Sequence, residues 1–215
     1  MAAALKTKLS EIIARLKKER PEAHCELTHK NPFELLISVI LSAQCTDERV
    51  NQVTPGLFKK FPTPKAMAKA SPPILEKEIY STGFYKNKAK NIKAASEILV
   101  KKFNGQVPQS MEELLTLPGA ARKTANVVLG EAFRIASGVV VDTHVSRVSQ
   151  RLGLTKETTP EKIEQDLMKL IPRQEWIYAS HALVLHGRYV CKAKKPDCQN
   201  CILNDLCPSK NISAP

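Results

Sequence analysis

Four times along this chain a short polar residue is followed at once by proline: Asn31-Pro32, Thr63-Pro64, Ser71-Pro72 and Thr159-Pro160. A side-chain oxygen at a helix N-cap accepts a backbone N–H of the first turn. Proline suits the next position, because its missing N–H would have no partner there. Each pair therefore predicts a helix start. Ser110, with Glu113 three residues on, predicts another through a capping box ahead of Leu114 and Leu115. Leu5, Leu9, Ile12, Ile13 and Leu16 recur at helical spacing and predict an amphipathic first helix. The run from Phe33 to Leu41 is apolar on most faces and predicts a central buried helix. Gly83, Gly105, Gly119, Gly138 and Gly153 interrupt the periodic stretches. Only Val139–Val141 reads as extended, and so short a run cannot build a sheet. No segment repeats at the spacing of a solenoid. The expectation is an all-α chain of roughly ten short helices joined by tight turns.

At 215 residues such a chain can bury a substantial core in one or two domains. Its 43% hydrophobic and 25% charged residues are those of a soluble globular protein. No apolar run is long enough to cross a bilayer, so no membrane partner is expected. The first residues lack a signal-peptide core, and Glu11 and Glu19 speak against a transit peptide. The expected location is the reducing cytoplasm, at the nucleoid if the source is bacterial. Lys and Arg outnumber Asp and Glu 33 to 21, a formal charge of +12. Such a surplus favours a polyanionic partner, since neutralised phosphates release their condensed counterions.

Six cysteines are present, and four crowd the C-terminal end as Cys191, Cys198, Cys201 and Cys207. In a reducing compartment clustered cysteines bind metal more often than they form disulfides. Four thiolates suit tetrahedral zinc or a [4Fe–4S] cluster, and spacing alone leaves both open. Either would close a loop-rich tail that cannot bury a core by itself. Lys192, Lys194 and Lys195 lie between the first two cysteines, as a basic knob for a phosphate backbone or as solvated surface lysines. Cys25 and Cys45 stand apart and are expected to be ordinary buried thiols.

The segment Leu114-Leu115-Thr116-Leu117-Pro118-Gly119-Ala120-Ala121-Arg122-Lys123-Thr124-Ala125 carries the most information. A helix is expected to end at Leu117, a Pro-Gly turn to reverse the chain, and a new helix to start near Arg122. That geometry aims backbone N–H groups outward at a helix N-terminus, ready for a phosphate, although an ordinary linker has the same look. Downstream, Val139-Val140-Val141-Asp142-Thr143-His144-Val145 places Asp142 where an N-cap would sit.

Taken together, these segments resemble the helix–hairpin–helix DNA glycosylases, and among them the iron–sulfur endonuclease III family. The likeness runs from about residue 5 to Cys207. It implies two helical lobes with a DNA-binding cleft between them: a six-helix barrel with the hairpin at 25–135, and a cluster lobe made of 1–24 and 136–215. It implies that the lysine of the hairpin, here Lys123, is the nucleophile. An amine can displace a base at C1′, form a Schiff base with the opened sugar and promote β-elimination. It must be neutral to attack, and burial, the adjacent Arg122 and a helix N-terminus would all favour that form. The likeness assigns the second catalytic role to Asp142, whose carboxylate would stabilise positive charge at C1′ and help move protons. It makes the cysteines ligands of a [4Fe–4S] cluster.

Gly119, Ala121, Arg122, Thr124 and His144 are implied DNA contacts, with Lys192, Lys194 and Lys195. Two loops are implied to open the duplex. Gln44 would fill the space left by an extruded base and Phe84 would act as an apolar wedge, where many relatives have leucine. By the residues alone, Gln44 equally caps a helix end and Phe84 packs inward. Ser42 and Asp47 are implied pocket residues. The family usually has a second hairpin glycine where this chain has Ala121. If that position is left-handed, alanine costs on the order of 1 kcal/mol. Lysine at position 123 implies the bifunctional branch, which removes oxidised pyrimidines such as thymine glycol and then nicks the strand. The partner would be double-stranded DNA with damaged bases or abasic sites, met by a monomer. The rival readings are a non-catalytic DNA-binding module on the same scaffold and a zinc-stabilised RNA-binding protein.

Overall fold

A computed structural model of the chain describes residues 2–210, which form helices and turns and no strand. The α-helices in order are α1 (Ala2–Glu19), α2 (Pro32–Leu41), α3 (Asp47–Lys60), α4 (Pro64–Lys69), α5 (Pro72–Ile79), α6 (Tyr85–Lys102), α7 (Met111–Leu114), α8 (Arg122–Phe133), α9 (Thr143–Arg151), α10 (Pro160–Leu170) and α11 (Trp176–Tyr189). Three-residue 3-10 helices precede α6 and α11, at Tyr80–Thr82 and Arg173–Glu175, and a third lies at Asn204–Leu206. All four proline-marked starts hold. Asn31 and Thr63 accept side-chain cap bonds from Glu34 and Ala66 N–H, whereas Ser71 and Thr159 make none. Ser110 accepts from Glu113 N–H at 3.2 Å and donates its hydroxyl to the Glu113 carboxylate at 2.7 Å, a variant of the expected box. The chain clusters into two compact units, residues 25–135 and residues 1–24 with 136–215.

In the unit of residues 25–135, α2 is the central element. Every residue from Phe33 to Leu41 is buried, with Leu35, Leu36, Ile37 and Leu41 fully so. Each such aliphatic side chain contributes roughly 1.5–3 kcal/mol, which makes α2 a firm base for the turns at its ends. It packs against α8, α3 and α6, and α4 lies along α6. Cys25 and Cys45 are half-buried rather than buried.

In the other unit, Leu9, Ile12 and Leu16 of α1 meet Val145 and Val148 of α9, Ile163 and Leu167 of α10, and Ala179, Ala182 and Leu183 of α11. Leu203, from the cysteine-rich tail, is fully buried in the same core. Helices α9 and α11 pack very closely at Gly187. A Cβ there would sit 2.8 Å from His144 Cβ and 3.1 Å from Val148 Cγ2.

The hairpin departs from expectation where its first helix ends, and it settles the condition left at Ala121. Helix α7 ends at Leu114, three residues early, and Thr116 and Leu117 continue in tight turns with N–H groups donating to Glu113 and Leu114. Leu117–Ala120 then forms a β-turn, with Ala120 N–H donating to Leu117 C=O at 3.0 Å. Pro118 takes the second position and Gly119, at φ +83°, the third, as a type II turn requires. A Cβ on Gly119 would lie 3.0 Å from Ile40 Cγ2 and 3.1 Å from Asn91 Cβ. Ala121 is extended, at φ −78° and ψ 171°. The left-handed demand falls on Gly119 alone, so alanine at 121 carries no backbone strain. Gly119→Ala is accordingly expected to lower stability by about 2 kcal/mol. Ala121→Gly should stay within about 1 kcal/mol of wild type. Urea denaturation of the two variants tests the contrast.

Candidate functional site

Ala121 precedes α8 but has no side-chain acceptor, so this helix starts without a side-chain cap. Its first intrahelical bond runs from Ala125 N–H to Ala121 C=O at 3.0 Å. The N–H groups of Arg122, Lys123 and Thr124 come before that bond, at the positive end of the helix dipole. Lys123 is exposed in the first turn, beside exposed Arg122 and buried Thr124. The burial expected around Lys123 is therefore not supplied by the chain itself.

Two turns in the same unit carry the other predicted residues. After α2, the Ser42 hydroxyl donates to Val39 C=O at 2.9 Å, and Asp47 opens α3 with its side chain half-buried. Gln44 is exposed, left-handed at φ +52°, and caps neither neighbouring helix. Before α6, Gly83 and Phe84 are left-handed in succession, at φ +69° and +47°. Phe84 is 67% exposed, so it does not pack inward. A non-glycine residue in this conformation costs roughly 1–2 kcal/mol and persists only where its surroundings hold it. Gln44 and Phe84, the two residues expected to enter the duplex, are among five non-glycine residues in this conformation, with Asn104, Arg134 and Lys195.

Asp142 caps α9. Its Oδ1 accepts from His144 N–H and Val145 N–H, both at 2.8 Å, and among the described residues Oδ2 accepts no hydrogen bond. The capping role is thus real, and it leaves one carboxylate oxygen for another partner. His144 is half-buried, with Nδ1 3.1 Å from the Arg147 guanidinium. Arg147 also donates to Gly187 C=O at 2.8 Å and to Cys191 C=O at 3.0 Å, binding the end of α11 to α9.

One turn further along α9, Arg151 donates to the carbonyls of Lys192 and Ala193, at 2.7 and 3.0 Å, and lies 3.4 Å from Cys191 Sγ. It holds the loop that presents Lys192, Lys194 and Lys195, all exposed, with Lys195 left-handed at φ +51°. Sequence reasoning missed Arg151. The available signal was a second arginine four residues after Arg147, on the same face of one helix.

Cys191, Cys198, Cys201 and Cys207 line a single cavity, together with Arg151, His186 and Leu152. Burial raises the Cys201 thiol pKa, and the other three cysteines each raise it further, so the four sulfurs act on one another. Leu203 N–H donates to Cys201 Sγ at 3.4 Å, and Asn204 donates to Cys198 C=O at 2.5 Å. His186 Nε2 lies 3.6 Å from Cys201 Sγ, with burial pushing its pKa down to about 4. Four soft donors around one cavity, with a raised thiol that a cationic group would relieve, fit an iron–sulfur cluster.

The fold and these sites define a class. A family model of HhH-GPD superfamily base excision DNA repair proteins matches residues 37–173, and the iron–sulfur binding domain of endonuclease III matches residues 191–207. The endonuclease III of Synechocystis sp. is 56% identical over 211 residues, covering 98% of this chain and 96% of its own. A non-covalent endonuclease III–DNA complex superposes with a TM-score of 0.92 at 47% identity, covering 95% of this chain and 96% of that one. A trapped endonuclease III–DNA covalent intermediate does so at 0.91 and 47%, with the same coverage. The chain belongs to the endonuclease III family. It is a base-excision repair enzyme of the DNA glycosylase/AP lyase class, binds DNA and carries a [4Fe–4S] cluster. The readings as a non-catalytic module and as a zinc-stabilised RNA binder fall. No helix among the described residues is long and apolar enough to cross a membrane.

Cys201→Ser is expected to lower the iron and sulfide content, to reduce Tm by about 5 °C or more, and to open residues 191–207 to protease. Full iron content in this variant would remove Cys201 from the ligand set.

Proposed function

We propose that this enzyme excises oxidised pyrimidines, thymine glycol among them, from duplex DNA and then cuts the strand through a Schiff base on Lys123. The observation that carries the reading is the uncapped start of α8 with exposed Lys123 in its first turn. A serine or aspartate at position 121 could cap α8 from within the chain, whereas alanine supplies no side-chain acceptor, and the positive end of a helix suits an anion. A DNA phosphate seated there, touching Gly119, Ala121, Arg122 and Thr124, brings Lys123 to the adjoining sugar. Bound DNA would also supply the burial that the free chain lacks at this lysine.

The neutral Nζ attacks C1′, and the glycosidic bond breaks with its electron pair leaving on the base, which takes up a proton. Opening of the sugar ring gives the Schiff base. Loss of a C2′ proton then expels the 3′ phosphate, and water releases the lysine. The Asp142 carboxylate, held by two backbone N–H groups, stabilises positive charge at C1′ and relays protons through Oδ2. His144 contacts the DNA backbone.

Gln44 fills the vacated stack, Phe84 wedges the duplex, and Ser42 with Asp47 lines the base pocket. Lys192, Lys194 and Lys195 meet phosphates on the loop braced by Arg151. When bound to Cys191, Cys198, Cys201 and Cys207, the cluster supplies iron–thiolate bonds that close the tail, and no step of the reaction runs through it. Residues 25–135 would form the barrel domain and the remainder the cluster domain of a cytoplasmic, monomeric enzyme.

Borohydride reduces a Schiff base to a stable amine. Wild-type enzyme on thymine glycol or abasic duplexes is expected to give a covalent adduct, and Lys123→Gln none. An adduct that persists in the variant would move the nucleophile elsewhere. Asp142→Asn keeps an acceptor for the cap, so it isolates the carboxylate charge from the stability of α9. It is expected to bind damaged DNA normally while single-turnover excision falls by about 100-fold. Near-normal turnover would leave Asp142 as a cap alone.

A further inference from the structure

Lys88, in the first turns of α6, is 4% exposed, an uncommon place for an ammonium group. Its Nζ donates to Leu41 C=O at 2.8 Å and to Thr82 C=O at 2.7 Å. Leu41 is the last residue of α2, and Thr82 the last of the 3-10 helix Tyr80–Thr82. Both carbonyls lie at helix ends, where no donor within the helix reaches them. Beyond Leu41 the chain enters the turn of Gln44, and beyond Thr82 it enters Gly83 and Phe84. Burial lowers the pKa of Lys88, and the opposing influence is that of Cys45. Among the described residues no carboxylate pairs with it. An apolar side chain of similar length would fill the same space without the cost of burying a charge. What the ammonium adds is a single rigid point bonded to two separate turns, each carrying a strained left-handed residue.

We propose that Lys88 is a positioning residue. By bonding the Leu41 and Thr82 carbonyls at once, it fixes the spacing between the Gln44 turn and the Phe84 turn, so that both enter the base stack together. It touches neither DNA nor the reacting atoms. The proposal rests on the reading of Gln44 and Phe84 given above and extends it to the framework behind them.

The test uses the holoenzyme and Lys88→Met, which keeps the length of the side chain and removes its donors. Two single-turnover rates are compared: excision of thymine glycol paired in a duplex, and cleavage of a preformed abasic site in the same sequence. Only the first requires a paired base to be drawn from the stack. Excision is expected to fall by at least about tenfold while abasic cleavage changes by less than about threefold. In a Lys123→Gln background, 2-aminopurine beside the lesion should show less unstacking when Lys88→Met is added. A purely structural role would lower both rates together, and that result, like no change in either, overturns the proposal. If Lys88→Met does not fold, Lys88→Gln, which retains one donor group, is expected to give the same selective loss to a smaller extent. Its absence there also overturns the proposal. Phe84→Ala separates the two layers of inference. Normal excision by that variant sinks the loop reading and Lys88 with it, whereas slow excision beside a normal Lys88→Met sinks Lys88 alone.

Discussion

An α-helix leaves its first N–H groups and last C=O groups without partners inside itself, and a chain built of helices must deal with every such end. Here the treatment of the ends decides where chemistry can occur. The end of α2 is met by the buried ammonium of Lys88, the start of α9 by the carboxylate of Asp142, and a carbonyl near the end of α11 by Arg147. The start of α8 receives no side-chain cap from Ala121. Several helix starts have no side-chain cap, those of α5, α6, α8, α10 and α11, and among them it is α8 that carries Lys123 in its first turn.

The cysteine tail shows which interactions matter by magnitude. Arg15 makes a two-pronged pair with Asp205, at 2.5 and 3.0 Å, yet the pair is exposed and solvent screens it. Leu203 is fully buried two residues after Cys201 and contributes roughly 1.5–3 kcal/mol. The tail is therefore moored by Leu203, with Ile202 and Leu206 packed against the same core, and by Arg15, Arg147 and Arg151, which bind its carbonyls. Iron–thiolate bonds complete what this small contact cannot hold alone. Gly187 makes the arrangement possible, because only a residue without a Cβ lets α9 approach α11 closely enough for Arg147 and Arg151 to reach.

Among the described residues, left-handed backbone is borne by glycine in some turns and by Gln44, Phe84, Asn104, Arg134 and Lys195 in others. Gly119 takes a left-handed conformation that glycine bears at no cost, in a hairpin that must hold its shape. Gln44 and Phe84 take similar conformations with full side chains, in exposed turns. Lys88 bonds the carbonyls of Leu41 and Thr82, from which the chain runs on into those two turns.

Helix starts were legible because Asn31-Pro32 and Thr63-Pro64 are local chemistry, readable within a few residues. The buried run of α2 and the start of α8 were legible for the same reason, as was the family, through the hairpin and the spacing of four cysteines. The end of α7 was misplaced because tight turns mimic helical spacing, and the concern over Ala121 arose because residue type alone does not tell which position of a turn is left-handed. Lys88 and Arg151 could not be read at all. One is a lysine among many until α6 packs beneath two distant turns, and the other acts on carbonyls more than forty residues away. The sequence by itself determined the helices, the family, the nucleophile expected of it and the cluster. Only the tertiary structure decided which helix ends are met by distant side chains, as Lys88 meets the end of α2 and Arg147 a carbonyl near the end of α11, because those partners arrive from elsewhere in the fold.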